Sequence, residues 1–546
     1  MPRSRMDYTQ PRLGKQIHHH PLTVTHIMVA PTTDEPRTAV AASDARPQHR
    51  GRLFDPLAVA ALAAVVSGAA AGRPSLWFDE GATISASASR SLPQLWHLLG
   101  YIDAVHGLYY LLMHGWFAVF PPTEFWSRAP GCLAIGIAAA GVVVLGKQFS
   151  TRRVAACAGV VFAILPRVTW AGIEARPYAF TALAAVWLTV LLVTSIRRNR
   201  WWLWLLYALA LILSILLNIY LVLLVPAYAV IAPIVGQRKA VLWWATSSAA
   251  ALAIMTPFMM FAHGQRIQVA WIYPLSWHSV IDVVQHQFFD NSVPFAVLAA
   301  VIIVAALAVR LTGRWESAGE TGHLLVVCAV WIVVPTLVSL IYSAITDPLY
   351  RPRYLSFTAP AMAIVLAVCI VAVARQPRWI AAVLVLLAAV AFPNYLLSQR
   401  QPYAKEGWDY SQVADAISEH AAAGDCLLVD NTVRWLPGPV RALIGTRPAA
   451  FRPLVDVGRG ASGAEHGTLW DGHVAVWLVK GRLKKCTTVW TITTHDTTLP
   501  AHQRGTSLLP GRVLGRAPVY LTPRQLGFHI VERWQFHRTQ VIKSAR

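Results

Sequence analysis

Trp77-Phe78-Asp79-Glu80-Gly81 places two adjacent carboxylates just beyond the first long apolar segment of the chain, residues 55–71. Ionisable side chains are costly to place near the hydrocarbon core of a membrane, and those that occur there usually have a function. The pair Asp79 and Glu80 therefore predicts chemistry or ion binding at the mouth of a membrane-spanning segment.

The composition indicates a membrane protein. Of 546 residues, 56% are hydrophobic and 13% are charged, whereas a soluble protein would carry about twice that charged fraction. Apolar runs of about 20 residues recur, each long enough to cross the hydrocarbon core. We expect an all-α polytopic domain, residues 54–397, with about eleven transmembrane helices. The predicted spans are 55–71, 129–146, 154–171, 179–195, 201–217, 219–235, 241–261, 293–310, 323–344, 357–374 and 379–397.

The net charge of +21 does not indicate nucleic-acid binding, because Lys and Arg lie largely in short loops and terminal segments. Residues 1–53 are polar and basic, which predicts a disordered cytoplasmic tail. The 22 tryptophans suit interfacial belts, as at Trp201, Trp202 and Trp204, where one predicted span begins.

The stretch 107–120 decides the topology. Counted as a span, it would turn the basic loops 147–153, 197–200 and 238–239 outward, against the positive-inside rule. Because its 14 residues are few for a crossing, we expect a short helix in the interface. The amino terminus is then inside and the carboxy terminus outside. Outer loops are predicted at 73–128 and 262–292.

We expect a multi-pass plasma membrane protein. In the predicted topology, many of its polar residues lie on the outer side of the membrane. An extracytoplasmic site is therefore predicted. The candidate residues are Asp79, Glu80, Asp103, His106, Glu174, Arg176, Tyr178, Arg266, Arg351, Arg353 and Tyr354.

Four stretches carry a resemblance to a known superfamily. They are Trp77–Glu80, Asp103–Tyr110 with Glu124–Pro130 behind it, Glu174–Tyr178, and Tyr350–Tyr354. In their order the chain resembles the GT-C fold glycosyltransferases of the protein-mannosyltransferase and aminoarabinose-transferase superfamily over residues 55–400. Gly107 and Leu108 stand where the family has two prolines, so the local turn can differ.

The resemblance implies an inverting glycosyltransferase that takes a sugar from a polyprenyl-phosphate carrier. The implied partners are this donor, membrane lipid and a glycan, glycolipid or protein acceptor outside the cytoplasm, and no nucleic acid. Mannose is the first expectation for the sugar, with arabinofuranose and aminoarabinose as competitors. Asp79 is the expected general base. Glu80 could orient Asp79, contact the acceptor or join a metal site.

The departing phosphate gains charge, which arginine forks stabilise. Arg353 is the first candidate, followed by Arg176, Arg351 and Arg266. Asp103 and His106, three residues apart, could bind a divalent metal cation, and a helix cap with a solvated face is the alternative. Asp282 with His286 is a weaker metal pair. Glu174 could pair with Arg176 or position substrate.

Residues 398–546 are predicted to form a soluble extracytoplasmic α/β domain. A helix is expected over 408–422 and strands over 426–429, 473–479 and 487–492. Cys426 and Cys486 could form a disulfide in an oxidising compartment. The other cysteines lie in predicted spans as core residues.

Two other classes of protein fit parts of this pattern. A flippase or transporter of lipid-linked sugars would share the spans, but it should carry charges in mid-membrane. A non-catalytic partner in wall synthesis would share the outer domain, but it has no need of Asp79, Glu80 and Arg353.

Overall fold

The computed structural model describes residues 48–313 and 320–546. Most of the tail predicted over residues 1–53 lies outside these ranges. Helix α1 begins at Gln48, so the last residues of the predicted tail are helical.

Helices build the chain up to residue 399. Their bounds are α1 Gln48–Gly68, α2 Phe78–Ser87, α3 Leu92–Leu99, α4 Gly107–Phe117, α5 Glu124–Phe149, α6 Arg152–Ile164, α7 Pro166–Gly172, α8 Tyr178–Arg198, α9 Trp201–Leu217, α10 Leu224–Val235, α11 Arg238–Gly264, α12 His278–Ile281, α13 Gln287–Phe289, α14 Val293–Leu311, α15 Thr321–Ile345, α16 Ala359–Ala374 and α17 Pro377–Pro393. Short 3₁₀ segments cover Ala104–His106, Ile219–Leu223, Arg266–Val269 and Pro352–Thr358, and π-helical turns cover Asp282–His286 and Asn394–Gln399.

Among the described residues, seven helices are long and apolar enough to cross a membrane, or eight if α6 and α7, bent by 61°, form one span. Three shorter apolar helices, Phe54–Gly68, Trp201–Leu217 and Ile219–Val235, coincide with the remaining predicted spans. The prediction of an all-α multi-pass domain is confirmed. The expected eleven crossings are reached only if the short helices also cross.

The stretch 107–120 forms the 11-residue helix α4. At 1.5 Å per residue such a helix is about 16 Å long, half the thickness of the hydrocarbon core. Its length is therefore that of the short non-crossing helix predicted from the sequence.

Small residues let the central helix α5 approach its neighbours closely. A Cβ at Gly136 would lie 2.8 Å from the Ala60 carbonyl oxygen of α1, and one at Gly146 would lie 2.9 Å from Ala155 Cα of α6. Such close backbone contact is how helices associate where no water is present to drive them together. The amino-terminal end of α5 carries Glu124 and Arg128 to the candidate site.

A mixed six-stranded sheet forms the carboxy-terminal region, in the strand order β2-β1-β3-β6-β5-β4. Strand β1 runs parallel to β2 and β3, and the remaining pairs are antiparallel. Cys426 on β1 is disulfide-bonded to Cys486, as predicted.

The strands are β1 Cys426–Val429, β2 Val455–Asp456, β3 Thr488–Thr494, β4 His502–Leu508, β5 His529–Gln535 and β6 Thr539–Ala545. The helices of this region are α18 Tyr410–His420, α19 Pro437–Ala442, α20 Pro448–Phe451, α21 Gly463–His466, α22 Lys480–Leu483, α23 Gly511–Leu514 and α24 Pro518–Gln525.

The strand predicted over 473–479 is wrong. His473 makes one isolated bridge, and Val476–Leu478 is a 3₁₀ turn. Val476, Val479 and Leu483 are the buried residues here. Their spacing of three and four residues is helical, and the apparent alternation around residue 476 concealed it.

The carboxy-terminal region packs directly on α2. Trp77, which precedes α2, and Ile84, which lies within it, share a buried apolar cluster with Val413, Val440 and Trp490. The sheet and its helices therefore help to hold the segment that carries Asp79 and Glu80.

Candidate active site

Asp79 lies in the first turn of α2, where a carboxylate is favoured by the helix dipole. Its Oδ2 is 3.6 Å from Nη2 of Arg353, and its side chain is 23% exposed. The residue preceding the helix, Trp77, makes no side-chain cap, and no capping hydrogen bond by Asp79 is found among the described residues. Asp79 is thus a solvent-accessible carboxylate with one arginine beside it.

Glu80 points away from Asp79 and is fully buried against Arg128. Arg128 donates from Nε to Oε1 at 2.7 Å and from Nη2 to Oε2 at 2.6 Å. Oε1 also accepts the backbone N–H of Ala175 at 3.1 Å. Both oxygens of Glu80 are thus engaged by the protein, and the side chain anchors the first turn of α2, in which Asp79 lies.

Arg353 is a largely buried cation between aromatic rings, with 13% of its side chain exposed. Its guanidinium lies 5.6 Å from the centroid of Trp77 and 5.5 Å from that of Trp271, and Glu406 is 3.7 Å away. Arg351 lies over the same Trp271 ring at 5.4 Å. The buried Nε atoms of both arginines have no hydrogen-bond partner among the described residues. Two guanidinium groups thus share one indole and retain unused donors.

A second polar group connects Asp103, Tyr110, Arg176 and His106. Asp103 adopts a left-handed conformation, φ 59°, and its Oδ2 accepts from the Tyr110 hydroxyl at 2.8 Å. Arg176 donates to that hydroxyl at 3.0 Å and lies 2.9 Å from His106 Nε2. Burial, and then the Arg176 charge, lower the pKa of His106 well below its usual value. Burial raises the pKa of Asp103, and Arg176 opposes that rise.

These contacts do not fit the expected metal pair. The Arg176 guanidinium faces His106, and the Asp103 carboxylate is used by Tyr110. Across residues 48–313 and 320–546, no group of three or more His, Cys, Asp or Glu side chains could hold a metal ion. The weaker pair, Asp282 and His286, lies in a π-helical turn, and the described residues supply no third ligand for it.

Glu174 pairs with Lys405 and not with Arg176, so that expected pairing is wrong. Its Oε2 lies 2.5 Å from the Lys405 ammonium, and its Oε1 accepts from the Trp77 indole at 2.6 Å. Burial raises the pKa of Glu174, and the Lys405 charge opposes the rise. The pair ties the segment after α7 to the segment after α17 and to Trp77, two residues before Asp79.

A cavity of about 340 Å³ adjoins these groups. Tyr178 and Tyr354 stack with centroids 6.2 Å apart, and Tyr220 packs on Tyr354 at 5.0 Å. All three tyrosines line the cavity, together with His106, Arg176 and mostly apolar side chains. Its remaining lining includes Ile219, Val222, Leu223, Met259, Val269, Val338 and Leu349.

Arg266 stands apart from the other arginines. It lines the same cavity, but its side chain is 55% exposed and lies 3.5 Å from Asp347. Of the predicted cations it is the most exposed to solvent.

Several residues at the site were not singled out from the sequence. Arg128 was present in a quoted motif without a role, and Trp271 only as part of an outer loop. Lys405 and Glu406 lie beyond the predicted membrane domain, and no local pattern points from them to Asp79. Their contacts form because the chain after α17 passes close to Arg353 and Glu174.

Comparison with solved structures identifies the fold. ArnT from Cupriavidus metallidurans in the apo state superposes with a TM-score of 0.53 at 14% identity, over 91% of this chain and 98% of that one. The same protein bound to undecaprenyl phosphate gives 0.47 at 15% identity, over 90% and 98%. The Archaeoglobus fulgidus oligosaccharyltransferase AglB, in complex with an inhibitory peptide and a dolichol-phosphate, gives 0.44 at 11% identity, over 81% and 69%.

The chain therefore has the GT-C fold, as its sequence motifs predicted. No family model matches it, and no curated protein is found as a relative. At these identities the similarity concerns the fold alone.

Proposed function

We propose that this protein is an inverting glycosyltransferase that moves a sugar from a polyprenyl-phosphate carrier to an extracytoplasmic cell-envelope acceptor. The observation that carries the proposal is the contact between Asp79 and Arg353, at 3.6 Å, beside a largely apolar cavity. A partly exposed carboxylate next to a fixed cation provides a base and a phosphate ligand in one place.

The reaction needs one proton acceptor. As the acceptor hydroxyl oxygen bonds to C1 of the sugar, its proton passes to the Asp79 carboxylate, and the C1–O bond to phosphate breaks. The electron pair of that bond leaves on the phosphate, which changes from a diester to a monoester and gains charge. Attack on the face opposite the leaving group inverts C1.

The arginines supply the positive charge that stabilises the leaving phosphate. Arg353 and Arg351 have free donors, and Trp271 lies against both guanidinium groups. Fixed cations in a water-poor site stabilise developing phosphate charge without reorganisation. Arg176 would assist from the cavity side, and His106, its pKa lowered by burial and by Arg176, would stay neutral.

The cavity suits the carrier better than the acceptor. A polyprenyl phosphate needs apolar walls for its chain and a cation for its phosphate, and the lining combines mostly apolar side chains with Arg176 and Arg266. No step is assigned to a metal, since Asp103 and His106 are already engaged. Mannose remains the first sugar to test, ahead of arabinofuranose and aminoarabinose. A glycan, glycolipid or protein can be the acceptor.

The test is transfer by the purified full-length protein in lipid nanodiscs. Polyprenyl-phosphate mannose, arabinofuranose and aminoarabinose are supplied separately with an envelope extract, and released polyprenyl phosphate is measured. We expect release with one donor and a loss of roughly 10²–10⁴-fold in Asp79→Asn. Glu419→Gln, a carboxylate-to-amide change at a side chain that is 76% exposed, is the control. No release with any of the donors, or full turnover in Asp79→Asn, would contradict the proposal.

A further inference from the structure

A basic, tryptophan-rich pocket lies at the opposite end of α8 from the candidate active site. Helix α8 begins at Tyr178 and ends at Arg198, 21 residues later. At 1.5 Å per residue it is about 31 Å long, close to the thickness of a hydrocarbon core. The chain after Arg198 therefore reaches the headgroup level of the membrane face opposite Asp79.

The pocket has a volume of about 500 Å³. It lies between the turn that joins α8 to α9 and the first turns of α11. Asn199 ends α8 at φ 43°, and its Oδ1 accepts from the Trp204 indole at 3.2 Å, which fixes the turn. The lining residues are Asn199, Arg200, Trp201, Trp202, Lys239 and Trp243.

The two cations of the pocket differ from three other basic residues, Arg197, Lys147 and Arg152. Arg197 pairs with Glu320, and Lys147 and Arg152 both pair with Asp55. Arg200 and Lys239 have no acidic partner within residues 48–313 and 320–546, and no carboxylate lines the pocket. Within the described part of the chain, the pocket therefore holds two positive charges that no carboxylate offsets.

Three indoles form the walls. Trp201 is 68% exposed, Trp202 43% and Trp243 41%. Exposed tryptophans are typical of the membrane–water interface, where the ring lies among acyl chains and glycerol groups while a cation nearby meets the phosphate. The cations of the pocket can therefore bind a lipid phosphate, and its indoles can contact the glycerol and acyl chains beside that phosphate.

We propose that this pocket is a binding site for the headgroup of an anionic phospholipid. Arg200 and Lys239 hold the phosphate, and the three tryptophans contact the glycerol and the upper acyl chains. The proposal rests on the pocket alone and does not depend on the reaction proposed for Asp79.

Native mass spectrometry of the full-length protein, titrated with phosphatidylglycerol or phosphatidylcholine, tests the site. We expect phosphatidylglycerol to bind at least tenfold more tightly. In Arg200→Gln/Lys239→Gln its affinity should fall about ten- to thirtyfold, since each basic residue near the surface contributes roughly a factor of five. Trp243→Ala should also weaken binding, although it removes no charge.

The matched control is Arg153→Gln/Arg310→Gln. It removes two exposed positive charges from the first turn of α6 and the last turn of α14, which are predicted to lie on the same face and do not line the pocket. If this control lost as much affinity for phosphatidylglycerol, the binding would come from diffuse electrostatic attraction, and the proposed site would be overturned. Equal binding of phosphatidylcholine would overturn the requirement for anionic lipid. Displacement by low-millimolar inorganic phosphate would show that the pocket takes a soluble anion and not a lipid. If the double variant is unstable, Arg200→Gln alone should still lower affinity.

Discussion

Glu80 and Arg128 form a two-point ion pair that solvent does not reach. Arg128 uses its remaining donors on the carbonyl oxygens of Ala71, Pro74 and Ser75. One guanidinium therefore fixes both the first turn of α2 and the segment that leads into it. Asp79, next to Glu80, owes its position to this pair.

Breaking the pair should destabilise the protein. Removal of one partner from a buried ion pair leaves an uncompensated charge and costs about 3–5 kcal/mol. We expect Arg128→Leu to lower the thermal stability strongly, and Glu80→Gln to lower it less, because the amide can still accept the Ala175 N–H. Thermal unfolding of purified variants measures this.

The double variant Glu80→Gln/Arg128→Leu supplies the control. Without either charge it should be more stable than Arg128→Leu alone, because no carboxylate is left buried without a partner. Additive losses would contradict the coupling between the two residues.

Trp271 should act through the two arginines that it contacts. We expect Trp271→Leu to weaken binding of the donor severalfold, since each cation–aromatic contact contributes roughly 0.5–2 kcal/mol. Trp271→Phe should recover part of the loss. Trp277, which is 69% exposed and six residues further along the chain, is the control position. Equal losses in Trp271→Leu and Trp277→Leu would indicate general disturbance of the loop.

The motifs near the site could be predicted because they are local. Asp79 and Arg353 were identified from short patterns, and the structure brings them together. The different directions of the Asp79 and Glu80 side chains also follow from the sequence, since adjacent residues of a helix point to different sides.

Long-range contacts could not be predicted in the same way. Nothing near Glu174 indicates Lys405, 231 positions later, and Arg176 two residues away was the more obvious partner. Likewise, Asp103 and His106 have the spacing of a metal pair, but Asp103 is hydrogen-bonded to Tyr110 and His106 contacts Arg176. Tertiary contacts of this kind depend on how distant helices pack.

Protonation of His106 should destabilise the protein at low pH. The pKa of His106 is lowered by burial and by Arg176, whereas an unfolded chain has a histidine pKa near 6.5. Below about pH 6.5 the unfolded state binds the proton more readily, so stability falls as the pH decreases, by up to about 1.4 kcal/mol per unit. Thermal unfolding between pH 7 and 5 should show a shallower decline in His106→Asn. Parallel profiles would contradict this.

The proposed orientation can be tested by labelling. Gln237 precedes α11, Ser276 lies in the segment 262–292 that is predicted to be an outer loop, and both are exposed. The native cysteines are buried or disulfide-bonded, which keeps the background low. In intact cells a membrane-impermeant maleimide should react with Ser276→Cys, and with Gln237→Cys only after permeabilisation. The reverse pattern would place the candidate site in the cytoplasm.

Arg353 should be the main ligand of the donor phosphate. Arg353→Ala should reduce kcat/KM by about 10²–10³-fold, because it removes a fixed donor from the position where charge develops. Arg353→Lys keeps the charge but loses the planar fork, so it should recover only part of the activity. Arg266→Ala is the comparison, since Arg266 is exposed and already lies near Asp347. Isotopically labelled donor gives the binding constant and the rate separately, and acceptor affinity should change little in all three variants. If Arg353→Ala retains donor binding and rate while Arg266→Ala loses them, the phosphate lies at the mouth of the cavity and not beside Asp79.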